Sequence, residues 1–268
     1  MTAANLDVFG LLARVREAKP VVHHLTNWVT IYDCANVVKV LGASPVMAHA
    51  PEEVADMVQL AGALVLNIGT LTVPLVEAMK VAGKAANAKG IPVVLDVCGA
   101  GATPLRDQKS LELLDEVRID IIKGNASEVA RVSGEAVRTK GVDASEVALD
   151  LTQVAQALAQ ARRATVVITG ETDIVADAGR LFLVKNGHPL MGQVVGTGCM
   201  AASVIGTFAA VSPDFTLAAA AALVTLGVAA ECAAAQSQGP ASFKERLFDC
   251  LYNLDEATLK RLQRVEAG

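Results

Sequence analysis

The chain has 268 residues, a formal charge of −5 and 53% hydrophobic residues, and its mean hydropathy of +0.43 comes mainly from alanine and valine. Scattered basic residues and an aromatic content of 3% leave neither an electrostatic footprint nor a stacking platform for nucleic acid. The longest apolar stretch, Leu217 to Ala235, is interrupted by Thr225, Gly227 and Glu231, a weak bilayer span, and Met1 to Asp7 lacks a basic, then apolar, leader. A cytoplasmic protein with no membrane partner is expected. Cys34, Cys98, Cys199, Cys232 and Cys250 are odd in number, with no C-x-x-C spacing, and so fit reduced thiols rather than a disulfide frame or zinc site.

In chain order, Pro20 to His24 is a short β-like run, and Thr30 to Leu41 reads as a helix ended by Gly42. Ala43 to Met47 is extended, because the residue before Pro45 is pushed out of the helical region. Pro51 is expected to open a helix with Glu52 and Glu53 in its first turn. Ala63 to Ile68 is a buried strand, Thr72 to Lys89 a helix capped by Gly90, and Ile91 to Asp96 the next strand. After a Gly-rich loop, Leu105 to Val117 is helical, Ile119 to Lys123 is a strand, and Asn125 begins another helix. Thr139 to Ser145 reads as a loop, Glu146 to Arg163 as a helix, and Thr165 to Thr169 as a strand. Asp173 to Asp177 and Arg180 to Val184 form a hairpin around Ala178-Gly179, with an Asn186-Gly187 turn beyond it. Val194 to Met200 is a glycine-containing loop tightening into a buried helix, followed by Ala-rich helices and a polar, helical C-terminus from Ala241 to Glu266.

Strands that are apolar throughout, alternating with helices, predict a central, mostly parallel sheet covered by helices on both faces. With no linker-like break, residues 1–268 read as one domain. In such a sheet ligands bind beyond the strand C-termini. Asn67, Asp96, Lys123, Asn125 and Thr169 all fall at such ends and should gather on one edge.

No Walker-type or dinucleotide glycine motif is present. The helix start at Gly196-Thr197-Gly198-Cys199 offers open backbone amides to an anion, and the strand ends supply two acids and a lysine. That inventory suits phosphoryl transfer, which needs positioning and charge more than covalent chemistry. Asn125-Ala-Ser-Glu128 has the spacing of a capping box, and Asp96 can shape a turn; on one edge beside Lys123, Asp96 and Glu128 also suit a hydrated Mg2+. His23, His24 and His49 lack metal-ligand spacing and read as structural or substrate-proximal.

The stretches HLTNWVTIYDCANVVKVLGASPVMAHA (24–50), LNIGTLT (66–72), LDVCGAGAT (95–103), KGNASE (123–128), ITGETD (168–173) and VVGTGCMAAS (194–203) resemble hydroxyethylthiazole kinase, the thiamine-salvage member of the ribokinase-like superfamily. The resemblance implies a single ribokinase-like α/β domain that phosphorylates the primary alcohol of 4-methyl-5-(2-hydroxyethyl)thiazole with ATP and Mg2+. It further implies Met47, Gly196 and Asn27 at the thiazole, Lys123 and Thr169 at ATP, and Asp96 and Glu128 at the metal. Thr197, Gly198 and Cys199 fall at the transferring phosphoryl group. Many relatives have arginine where Lys123 stands, and the usual Asp-Pro-Val-Gly is here Asp96-Val97-Cys98-Gly99. The resemblance also implies a homotrimer with active sites at subunit interfaces. A kinase for hydroxymethylpyrimidine, a nucleotide-dependent hydrate dehydratase and a non-catalytic thiazole binder are the rival readings.

Overall fold

The computed structural model describes residues 6–134 and 150–268. The apolar runs lie side by side as β1 (Val21–Leu25), β2 (Ser44–Val46), β3 (Ala63–Asn67), β4 (Val93–Asp96), β5 (Ile121–Asn125) and β6 (Thr165–Thr169). These pair in parallel in the order β2-β1-β3-β4-β5-β6. The expected hairpin, β7 (Asp173–Ala176) and β8 (Leu181–Val184), continues the sheet antiparallel, and β9 (Val265–Ala267) closes it as the ninth strand.

Side chains of a strand alternate between faces, and both faces are covered here. Along β3, Val65 joins one apolar cluster while Leu64 and Leu66 join the other. The first cluster is roofed by α1 (Val8–Ala18), α2 (Ile31–Val40), α8 (Thr197–Ala209), α9 (Phe215–Ala234), α10 (Pro240–Asn253) and α11 (Glu256–Leu262). The second lies under α3 (Val54–Leu60), α4 (Val73–Lys89), α5 (Pro104–Glu116), α6 (Ala126–Val132) and α7 (Leu151–Arg162). The expected α/β class and covered, mostly parallel sheet are what the chain adopts. Helix α9 is long and apolar enough to cross a bilayer, but it is packed into the first cluster as a core helix.

Local signals set most element ends. The hydroxyls of Thr72 and Thr103 cap α4 and α5, each followed by proline in the first turn, and Gly90 closes α4 at φ 79°. Three readings need correction. Helix α3 begins at Val54, not Pro51, because the amides of Glu53 and Val54 both return to Ala50 O and hold 51–53 in a turn. The C-terminal stretch is two helices and a strand, since the outer edge of β8 offers unpaired backbone groups that residues 265–267 fill. The Asn186-Gly187 turn expected beyond the hairpin is not formed, since residues 185–188 run without a turn from β8 into a 3-10 helix over Pro189–Gln193. Helix α1, capped by Asp7, carries no reading from the sequence. The expected loop at 139–145 and residues 146–149 of the expected helix lie outside the described residues; α7 itself starts at Leu151 under an Asp150 cap.

From β1 the chain steps outward to β2 and then back across to β3, so a crevice opens at the C-terminal ends of β1 and β3. Helix α8 lies against this part of the sheet. A Cβ at Gly206 would stand 2.4 Å from Val65 Cγ2, so the glycine sets how closely α8 approaches β3. Gly206→Ala should therefore lose about 1–3 kcal/mol of stability through overpacking, although alanine is the better helix former. Urea unfolding reads this directly, and a midpoint equal to or above wild type would refute the tight contact.

Candidate active site

Register brings the polar strand ends into one row. Asn67 pairs with Asp96 across β3 and β4, Asp96 with Lys123 across β4 and β5, and Asn125 with Thr169 across β5 and β6. Asp96 is fully buried, and its carboxylate accepts from Asn67 Nδ2 at 2.7 Å and from Lys123 Nζ at 3.2 Å. Burial pushes the Asp96 carboxyl upward, opposed by the Lys123 charge. Burial also works against the Lys123 ammonium, but Asp96 and Glu128 hold it above its ordinary value. The lysine remains a cation.

The row continues into the loop after β1. Asn67 Oδ1 accepts from Asn27 Nδ2 at 3.0 Å, and the same amide nitrogen lies 3.3 Å from Cys199 Sγ. Asn27 Oδ1 accepts from the amides of Val29 and Thr30 and from the Thr30 hydroxyl. Asn27 is thus a buried junction between Asp96 and the start of α8. Asn67 has no role in the sequence reading beyond its place at a strand end; the polar close of an otherwise apolar run was its signal.

Helix α8 starts on Gly196, at φ 98°, where a Cβ would fall 2.5 Å from Thr30 Cγ2. Both the positive φ and the contact require glycine. Met200 N–H is the first to close on Gly196 O, so the amides of Thr197, Gly198 and Cys199 have no intrahelical acceptor. Gly198 faces Lys123, whose Nζ would lie 3.3 Å from a Cβ placed there. The Thr197 hydroxyl donates to Met191 O at 2.9 Å, so its side chain anchors the preceding turn. The neighbouring Cys98 thiol, with Thr30, Lys123 and Asn27, pulls Cys199 below the ordinary thiol range against the effect of burial. Cys98 is correspondingly pushed up. Cys98, Thr30 and Asn67 are site residues whose proximity only the folded chain reveals.

Beside this helix start is a cavity of about 920 Å³, with Thr169, Asp173, Thr197, Gly198 and Asn186 in its walls. The Thr169 hydroxyl lies 3.4 Å from Gly124 O. Asn27 and Gly196 lie off the cavity walls, at the Cys199 and Thr30 contacts of α8's first turn. Met47 follows the edge strand β2, and its carbonyl accepts from His49 Nδ1 at 2.7 Å. His49 Nε2 accepts from Thr26 N–H, and its ring packs on Trp28 with centroids 4.9 Å apart. His23 and His24 are buried in β1, and burial brings His24 down to about 4.

The capping box is formed: Asn125 Oδ1 accepts from Glu128 N–H, and Glu128 Oε2 accepts from Asn125 N–H at 2.7 Å. Glu128 Oε1 also accepts from Gly99 N–H at 2.7 Å, tying the Gly-rich loop to α6. Arg106 fastens the same loops, donating to Ile68 O, Gly69 O and Cys98 O; its role was not apparent in the sequence. Among the described residues, no three His, Cys, Asp or Glu side chains are placed to hold a metal by themselves. With Asp96 paired to Lys123 and Glu128 engaged by backbone amides, the donor set fits a Mg2+ that keeps its waters and binds mainly phosphate oxygens.

A testable consequence concerns Cys199. Alkylation by iodoacetamide, followed by mass spectrometry across pH, should titrate with a midpoint below the ~8.5 of a free thiol, because only the thiolate reacts. Cys98→Val, which removes the donor, should move that midpoint upward. An unchanged midpoint in the variant, or a wild-type midpoint at the ~8.5 of a free thiol, would overturn the Cys98–Cys199 pairing.

Comparison with known proteins supplies the frame for this site. The profile of the hydroxyethylthiazole kinase family matches residues 12–257. Hydroxyethylthiazole kinase of Methanosarcina mazei is 53% identical over 255 residues, covering 95% of this chain and 98% of the relative. The solved structure of hydroxyethylthiazole kinase from Pyrococcus horikoshii is 41% identical and superposes with a TM-score of 0.90, covering 97% of this chain and 98% of that one. A ribokinase-like superfamily protein of Enterococcus faecalis shares the fold, with a TM-score of 0.60 at 15% identity over 90% of this chain and 88% of that one.

Proposed function

The chain belongs to the hydroxyethylthiazole kinase family and is a kinase, and from that premise we propose that it transfers the γ-phosphoryl group of ATP to the primary alcohol of 4-methyl-5-(2-hydroxyethyl)thiazole. The observation that carries this reading is the start of α8. Its open amides at Thr197, Gly198 and Cys199 stand between the 920 Å³ cavity and the Asn27–Cys199 contact, with the Lys123 cation facing Gly198. ATP occupies the cavity, with Thr169 beside it, and the thiazole lies on the Met47, Asn27 and Gly196 side. The phosphoryl group then passes across the first turn of the helix.

In the reaction the alcohol oxygen forms a bond to the γ-phosphorus, the bond from that phosphorus to the β–γ bridging oxygen breaks, and ADP leaves. The alcohol proton goes to the Cys199 thiolate, which Cys98, Thr30 and Asn27 hold ready to accept it. The open amides and Lys123 stabilise negative charge on the moving group. Asp96 keeps Lys123 in place and, with Glu128, would hold Mg2+, which when bound would supply neutralisation of phosphate charge. Lysine in place of a planar arginine fork contributes a point charge to this arrangement. A pure thiazole binder has no use for such an anion nest.

The homotrimer reading, with the site at a subunit interface, is supported by the surface beside Met47. Trp28, Val29, Tyr32 and Val195 are large, apolar and exposed, and they cluster around the Thr30–Gly196 contact on the open side of the site. A neighbouring subunit on this patch completes the thiazole pocket. Light scattering should give a trimeric mass, and Tyr32→Glu should lower that mass and raise KM for the thiazole. A fully active monomer would sink this part of the reading.

The activity is tested by coupled ADP release with hydroxyethylthiazole and hydroxymethylpyrimidine in competition; preference for the pyrimidine, or no ADP, overturns the proposal. Three variants at saturating substrates rank the machinery. Gly198→Ala should be worst, because its Cβ intrudes in front of Lys123, and Asp96→Asn next. Cys199→Ala should lose less than the 10²–10⁴ typical, in order of magnitude, of a full general base, since a loose phosphoryl-transfer transition state demands little early deprotonation. If Cys199→Ala is the most damaging of the three, proton removal outweighs electrostatic positioning.

A further inference from the structure

The outer wall of the 920 Å³ cavity is the segment Lys185 to Pro189, which runs on from β8 after the ladder with β7 has ended at Val184. Lys185 N–H still donates to Arg264 O at 2.9 Å beside β9, but beyond it the conformation of 186–189 is imposed from outside the sheet. Two residues one turn apart on α9 do this. At Gly227 a Cβ would stand 2.6 Å from Asn186 Cβ and 2.7–2.8 Å from the Asn186 backbone carbonyl, so the segment lies directly on the helix. At Glu231, Oε1 accepts from Gly187 N–H at 2.9 Å and from Asn186 Nδ2 at 3.0 Å.

The far side of the segment is held by the chain's C-terminal stretch. Arg264 N–H donates to Asn186 Oδ1 at 2.7 Å, and Asn186 Nδ2 also donates to Leu262 O at 2.8 Å. The Arg264 guanidinium donates to both Glu231 oxygens, at 2.7 and 3.1 Å, and to Lys185 O at 2.9 Å. Asn186 is thereby buried, with both ends of its amide engaged. Asn186, Gly187 and Gly227 face the cavity, whereas Glu231 and Arg264 stand behind them. The pairing has an electrostatic side as well. Arg264 neutralises a carboxylate that would otherwise lie close behind the binding site of a polyanion.

We infer that Glu231 and Arg264 are positioning residues for the nucleotide: they fix the Asn186-Gly187 wall and thereby set the affinity for ATP, without touching the reacting atoms. The inference rests on the cavity being the ATP site. Arg264→Ala loosens the wall and unmasks the carboxylate, so it should raise KM for ATP about five- to tenfold, the effect of one or two lost hydrogen bonds. KM for the thiazole and kcat should stay near wild type. Glu231→Gln should have a smaller effect, and Arg264→Lys, which keeps the charge, should recover most of the ATP affinity. Adding Glu231→Gln to Arg264→Ala should restore part of the loss by removing the exposed charge.

The experiment is a steady-state KM and kcat comparison of these variants, with ATP binding measured by isothermal titration without thiazole and melting temperature as a folding check. Weaker ATP binding by the same factor as the rise in KM supports the inference. Unchanged ATP binding in folded Arg264→Ala overturns it. So does a fall in melting temperature and kcat with KM for ATP constant, the mark of a merely structural contact. If Arg264→Ala fails to fold, Glu231→Gln decides: weaker ATP binding in this variant supports the inference, and wild-type ATP binding overturns it. Wild-type protein that binds no ATP overturns the cavity assignment and this inference with it, whereas wild type that binds ATP as tightly as every variant overturns the inference alone.

Discussion

The Asp96–Lys123 pair, buried where two neighbouring parallel strands end, is the constraint on which the site turns. Desolvating two charges is expensive, and their attraction offsets this only when the remaining polar groups are also satisfied. Here Asn67 supplies the extra hydrogen bond to Asp96, Asn27 supports Asn67, and Cys199 lies against Asn27. Loss of any member leaves a buried polar group without its partner. The sheet edge and the start of α8 are therefore one polar unit rather than two neighbouring ones.

Around that unit the chain places glycines where backbone must come close or stay open. Gly196 allows the turn into α8 against Thr30, Gly198 leaves the front of Lys123 open, and Gly227 lets the Asn186 segment rest on α9. Each does its work by lacking a Cβ. The polar side chains around them, Glu128 on Gly99 and Arg106 on three loop carbonyls, hold the connecting loops so that those open positions stay where they are. Rigid loops with exposed amides suit a reaction in which little covalent chemistry is asked of the protein.

The two sides of α8's first turn are built differently. On one side, α9, the hairpin and the segment after β8 line a cavity within one chain. On the other, Met47 follows an edge strand and Trp28, Val29 and Tyr32 stay exposed. The proposed shared acceptor site draws on that exposed side, whereas the proposed nucleotide site is built within one chain.

Much of this was readable in the residues because it is local. Apolar runs such as ALVLN and VVLD announce buried parallel strands, Gly90 announces the end of the helix before it, and Asn125 with Glu128 has the spacing of the capping box it forms. The anion-binding character of Gly196 to Cys199 also follows from two glycines ahead of an apolar helix. What joins these pieces is set by contacts across the whole chain. The strand at 265–267 exists because β8 has a free edge, Asn27 and Cys199 meet although 172 positions separate them, and Glu231 reaches Arg264 from 33 positions away. No local pattern encodes such meetings. They appear only when burial of the two apolar clusters has fixed the register of the sheet and the distance at which each helix lies on it.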